Sequence, residues 1–97
     1  MARFDVHRID GELYLDVQTN LLPSLGTRLV VPLVPTSFPI KAIRRLHPQV
    51  DVAGKRLVMA THLMVAVPER SLGAPVASLR DRYDDIVAAI DMIFLGF

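Results

Sequence analysis

The chain has 97 residues, 52% hydrophobic and 22% charged, with 11 basic and 10 acidic side chains and no cysteine. That composition excludes a disordered chain, disulfides, thiol nucleophiles and cysteine-based zinc sites. The balance holds along the chain, with six basic and four acidic groups in residues 1–48 against five and six in 49–97, which excludes a generic nucleic-acid binder.

One domain is expected over residues 1–97. A chain of this size buries roughly 60–65% of its unfolded surface, so part of the apolar surplus is expected in an oligomer or partner interface. The start, MARFDVHRID, has no apolar signal-peptide core. The longest apolar run, Leu57 to Val67, is broken by Thr61 and His62 and falls far short of the ~20 residues of a membrane helix. A soluble cytoplasmic protein with no membrane contact is the expectation.

The first two-thirds reads as β. Phe4 and Val6 alternate with Arg3, Asp5 and His7, the pattern of a half-buried strand. Asp10-Gly11 is a hairpin signal, and Leu13, Leu15 and Val17, alternating with Tyr14, Asp16 and Gln18, form the returning strand. Pro23 and Gly26 punctuate a loop. Leu29-Val30-Val31 is a short buried strand that Pro32 and Pro35 limit or push to an edge. Ile40 to Leu46 fits either a strand or one helical turn. Val50 and Val52, Gly54, then Leu57 to Met59 predict another hairpin, and Leu63 to Val67 a strand closed by Pro68. Gly73 and Pro75 mark the last loop.

The remaining residues predict a helix. Ser78 is a candidate N-cap with Asp81 three positions on. Leu79, Tyr83, Ile86, Val87, Ile90, Ile93, Phe94 and Phe97 recur in steps of three and four, which predicts one buried stripe. Asp81, Asp84, Asp85 and Asp91 take the other faces. Leu95 and Met92 project among the aspartates, and Gly96 weakens the helix there. Large apolar groups on that wet face mark either a contact surface or a fraying end.

Chemistry-bearing patterns are sparse. His7, His47 and His62 are widely spaced and form no metal-binding pair. His7 is expected in solvent, His47 in a turn before Pro48, and His62 as a hydrogen-bonded core residue. No phosphate-binding glycine motif or nucleophile elbow is present. Asp81, Asp84 and Asp85 read as a solvated helix face, and Lys41, Arg44 and Arg45 as a solvated basic edge. No catalytic residue, metal or cofactor is expected. The residues alone lead to a small α+β protein with an apolar C-terminal end.

Beyond this, the sequence resembles the CcdB family of type II toxin–antitoxin toxins. The residues that carry the resemblance are Tyr14-Leu-Asp-Val-Gln-Thr-Asn-Leu-Leu22, Gly26 and Arg28-Leu-Val-Val-Pro-Leu33. They continue through Arg45-Leu-His-Pro48, Met59, Thr61, Val67-Pro68 and Gly73 to Asp85-Ile-Val-Ala-Ala-Ile-Asp-Met-Ile-Phe-Leu-Gly-Phe97. The resemblance implies the SH3-like antiparallel β-barrel shared with Kid/MazF toxins, with an accessory β-sheet and a C-terminal α-helix. It implies a homodimer that binds the A subunit of DNA gyrase and traps the cleaved-DNA complex. A CcdA-like antitoxin would neutralise it, and operator DNA would be met only through the antitoxin complex.

The family's gyrase-binding Trp-Gly-Ile end falls on Leu95, Gly96 and Phe97. Its Asn one turn earlier falls on Asp91, and its early pair of isoleucines on Leu21 and Leu22. Leu95 removes the aromatic face that would stack on a gyrase arginine. This departure supports an alternative, a CcdB-fold protein that no longer poisons gyrase and acts on antitoxin, as co-repressor or on another partner. The shared fold supplies a third reading, a MazF-like ribonuclease, whose site would have to be built from scattered residues such as Arg28, Asp16 or His62, with no motif for it.

Overall fold

The computed structural model describes residues 2–22 and 24–97. Along them run β1 (Asp5–Ile9), β2 (Glu12–Asp16), β3 (Thr27–Pro35), β4 (Gln49–Val52), β5 (Lys55–Met59), β6 (Val65–Pro68), β7 (Ala77–Ser78) and the helix α1 (Tyr83–Leu95). Single 3-10 turns lie at Thr61–Leu63, Glu69–Ser71 and Arg80–Arg82. Pro23, expected to punctuate a loop, lies outside the described residues.

Local turn chemistry makes both hairpins. β1 pairs with β2 around Asp10 and Gly11, whose φ values are +50° and +82°; β4 pairs with β5 around Ala53 and Gly54, at +51° and +79°. Two consecutive residues of positive φ give the turn whose twist matches that of the flanking strands.

β3 organises the rest. On one edge it pairs with β2. On the other it pairs with β6 along Thr27–Val30 and then with β5 along Leu33–Pro35. The strand order is β4-β5-β3-β2-β1-β7, with β6 also on β3, and every pairing is antiparallel. The strands expected as a main and an accessory sheet are therefore one continuous sheet, curled into a nearly closed barrel. With α1 it forms the expected α+β fold.

The expectation of a short strand at Leu29–Val31 is corrected: β3 spans nine residues and both prolines. The Pro32 carbonyl accepts a hydrogen bond from Ala60 N–H at 2.9 Å. In a strand, a residue's nitrogen faces the same edge as its carbonyl. On that edge β6 has ended and β5 has not begun, so the missing N–H costs no ladder bond.

The barrel core contains Phe4, Val6, Leu15, Val31, Leu33, Val50, Leu57 and Met59, closed by Leu79, Ile86 and Ala89. A smaller cluster of Val34, Val58 and Ala60 is covered by Ile40. The segment from Ile40 to Leu46 forms neither strand nor helix beyond a turn at residues 44–46.

The simple alternation predicted for β1 and β2 is also corrected. Phe4, Asp5, Val6 and His7 are all buried. Phe4 has φ +71°, a strained value for an aromatic residue, and β1 begins only after it. The free edge of β1 is covered by the segment leading into α1, which includes β7. Val76 N–H donates to the Val6 carbonyl, and Leu79 N–H to the Phe4 carbonyl. His7, expected in solvent, donates from Nδ1 to the Gly73 carbonyl at 2.9 Å, and its Nε2 has no hydrogen-bond partner.

Candidate functional site

The helix forms later than the sequence suggests. Ser78 belongs to β7, and the 3-10 turn at Arg80–Arg82 intervenes before α1 begins at Tyr83. No side chain caps α1; its first turn carries Asp84 and Asp85, which suit the positive end of the helix dipole.

Only part of the predicted apolar stripe is buried. Of the stripe, Leu79 and Ile86 are buried, while Val87 and Ile90 pack partly against the core; Ala89, outside the predicted stripe, is buried with them. Tyr83, Ile93, Phe94 and Phe97 are exposed, which corrects their assignment to a single buried face. The core that α1 packs on reaches only as far as Ile90, so the last turn stands clear of the barrel.

Phe94 is 66% exposed, Leu95 61% and Phe97 71%. Contiguous exposed apolar side chains of this size are characteristic of an interaction surface. Gly96, expected to weaken the helix, ends it: its φ is +81°, and its N–H donates to the Met92 carbonyl at 3.0 Å. The stop directs Phe97 out of the helical path. Asp91 is half-buried and precedes Leu95 by four residues, on the same side of the helix.

Leu21 and Leu22 occupy the loop between β2 and β3. Leu21 is 85% exposed, and Leu22 and Leu25 are exposed with it. The loop is pinned beneath them: Gln18 Nε2 donates to the Leu22 carbonyl at 3.3 Å, and Arg3 N–H to Asn20 Oδ1 at 2.9 Å. Among the described residues, no hydrogen bond joins this loop to α1. Leu95, Gly96, Phe97 and Asp91 share one helix end, and Leu21 and Leu22 lie exposed on the loop between β2 and β3. Leu25 was missed in the sequence, where its position between Ser24 and Gly26 already marked it as a loop leucine.

The charged candidates are arranged differently. Asp16, read as a polar outward position, is fully buried against Arg28, with Nε to Oδ2 at 2.9 Å and Nη2 to Oδ1 at 3.0 Å. His62 is exposed rather than in the core, and its Nδ1 meets Nε2 of His47 at 2.9 Å. Arg28, Asp16 and His62 are therefore not assembled as one open catalytic set. Asp85 accepts two hydrogen bonds from Arg82, while Asp81 and Asp84 are exposed, as are Lys41, Arg44 and Arg45. No helix among the described residues is long and apolar enough to cross a membrane.

Fold and surface together define a small antiparallel barrel that presents an apolar helix end. The model of the CcdB protein family matches residues 3–96, and the chain belongs to the CcdB family. Among solved structures it is similar to one described as a crystal structure of an Mtb toxin, at 18% identity and a TM-score of 0.73, over 95% of this chain and 99% of that one. It is also similar to an endoribonuclease in complex with its cognate antitoxin from a mycobacterial species, at 14% identity and a TM-score of 0.75, over 100% of this chain and 96% of that one. At these identities the likeness is one of fold.

Proposed function

We propose that the protein is the toxin of a type II toxin–antitoxin module and acts by binding the A subunit of DNA gyrase and trapping it on cleaved DNA. Family membership supports the toxin reading. The observation that carries the target is the exposed end of α1, where Gly96 stops the helix and Phe94, Leu95 and Phe97 stay in water. Leu95, Gly96 and Phe97 would enter the gyrase contact, with Asp91 beside them and Leu21 and Leu22 as a second contact. A homodimer would present two such ends and use part of the exposed apolar surface.

A CcdA-like antitoxin is the expected inhibitor, and operator DNA would be bound only by the toxin–antitoxin complex. That a solved endoribonuclease of similar fold is in complex with its cognate antitoxin supports an antitoxin partner. No enzymatic step is needed for this action, and the expected location is the cytoplasm, where gyrase works.

The test is a cleavage-trapping assay with purified protein, supercoiled plasmid, ATP and gyrase from the same source. Accumulation of linear DNA after denaturation is the expected result. Its absence beside a working quinolone control overturns gyrase poisoning. Leu95 in the place of the family's Trp favours the second reading, a barrel that binds antitoxin or another partner without poisoning gyrase. A ribonuclease reading would require RNA cleavage by the same preparation, from residues other than the buried Asp16–Arg28 pair.

A further inference from the structure

The fold joins two histidines that stand fifteen positions apart. His47 is buried just before β4, and His62 is exposed on the 3-10 turn at Thr61–Leu63. Nε2 of His47 lies 2.9 Å from Nδ1 of His62, and the rings meet edge to face at 77°. The backbone N–H of Ile43 donates to Nδ1 of His47, also at 2.9 Å. That bond selects the tautomer. Since Nδ1 accepts, neutral His47 carries its proton on Nε2. Nε2–H donates to Nδ1 of His62, whose own proton is then on Nε2. Each ring has one lone pair, and both lone pairs are in use.

We infer that Ile43, His47 and His62 form a proton-operated latch that fastens the irregular segment 41–46 to the turn packed beside α1. A proton on Nδ1 of His47 displaces the Ile43 N–H. A proton on Nδ1 of His62 meets the Nε2–H of His47 head-on. The intact relay has room for one proton on each ring, at Nε2. A metal ion does not replace the proton, because a metal on Nε2 of neutral His47 needs the proton on Nδ1, where the Ile43 N–H already points.

The surroundings oppose a charge on His47. Burial, with a smaller repulsion from His62, holds its pKa below the ordinary histidine range. His47 lines a cleft with Arg44 from its own segment and with Arg82 and Asp85 from the start of α1. Asp85 is already engaged by Arg82. The facing groups are thus two guanidinium ions, one paired carboxylate and His62, so no unpaired anion compensates a charged His47. Opening is local, because β4 stays paired with β5 and the Met59 N–H still donates to the Pro48 carbonyl. The Thr61 hydroxyl still donates to the Leu46 carbonyl and the His47 N–H to the Ile43 carbonyl, so the segment stays tethered at its end, and acidification loosens the basic edge of Lys41, Arg44 and Arg45 relative to α1. This inference is independent of what the end of α1 binds.

The experiment is amide hydrogen exchange on the full chain by nitrogen-15 NMR, with ring tautomers read from long-range nitrogen–proton spectra. At pH 7.5 both rings should carry their proton on Nε2, and the Ile43 amide should be protected. At pH 5 its protection, corrected for intrinsic exchange, should fall severalfold, because the opened relay accepts protons that the closed one excludes. Amides of β3, which exchange only on global unfolding, should stay far better protected than Ile43 at both pH values. His47→Asn leaves an acceptor at the Nδ1 position and removes the titration, so Ile43 protection should no longer depend on pH. If that variant does not fold, His62→Asn at the exposed position keeps the second acceptor and should reduce the loss. A proton on Nδ1 of His47 at pH 7.5, equal Ile43 protection at both pH values, Ile43 protection as high as that of β3, or an undiminished loss in His62→Asn would each overturn the latch.

Discussion

Arg28 closes on Asp16 inside the barrel wall, and the pair is satisfied on all sides that matter. Beyond the two direct bonds, Arg28 Nη2 donates to the Gln18 carbonyl at 3.2 Å and the Gln18 N–H donates to Asp16 Oδ1 at 3.1 Å. Gln18 Oε1 in turn accepts from the Leu29 N–H at 3.1 Å. Side-chain exposure is 5% for Arg28 and zero for Asp16.

The value of this pair lies in its being complete. Removing one member leaves a buried charge without its partner, which costs about 3–5 kcal/mol. Asp16→Ala and Arg28→Ala should each lower stability by that order. The double replacement Asp16→Leu with Arg28→Met should cost much less than the sum of the two losses. Urea unfolding of the three variants measures this, and additive losses would contradict it.

The same pair shows what the sequence made legible and what it did not. Asp10-Gly11 and Gly54 carry their turn chemistry within two residues, so both hairpins could be read directly. Asp16 and His7 could not, because alternation assumes that one strand face meets water. Here the outer faces are covered by Arg28 and by the segment around Gly73, far along the chain. Pro32 argued against a long β3, since its harmlessness depends on where β5 and β6 meet the strand. The exposure of Leu95 was legible from the helical wheel. That of Phe94 and Phe97 was not, because periodicity cannot tell where the supporting core stops. The meeting of His47 and His62 depends on topology alone.

Gly96 should matter more for direction than for stability. An added Cβ meets nothing within 4 Å, so only the backbone resists it. At φ +81° an alanine costs about 1–2 kcal/mol. The residues beyond are exposed, so unravelling of the last turn relieves much of this strain. Gly96→Ala should therefore lower the melting temperature only slightly while weakening any partner held by Phe97. A pull-down and a thermal melt on the same variant separate the two effects.

His47 makes global stability depend on pH with a defined sign. Its pKa is lower in the folded chain than in the unfolded one, because burial and His62 disfavour the cation. The unfolded chain therefore binds the proton first as pH falls. This contribution to stability is full above about pH 6.5 and is lost as pH drops through the folded value. Denaturation at pH 7.5 and 5.5 should show the loss, and His47→Asn should reduce it. A stability that rises on acidification through this range would contradict the assignment.

The end of α1 offers the most direct test of the proposed target. Leu95 is exposed and makes no core contact, so Leu95→Trp should leave unfolding within about 0.5 kcal/mol of the parent. On the partner side, an indole restores a face on which a guanidinium can stack, worth about 0.5–2 kcal/mol. That corresponds to a gain of roughly two- to thirtyfold in affinity for the gyrase A subunit. Leu95→Asp should do the reverse, abolishing an apolar contact at unchanged stability. Calorimetric titration of both variants against the purified subunit would decide. A loss of binding on Leu95→Trp, or no effect of Leu95→Asp, would remove Leu95 from the contact and move attention to Phe94 and Phe97, the other large exposed groups at that end.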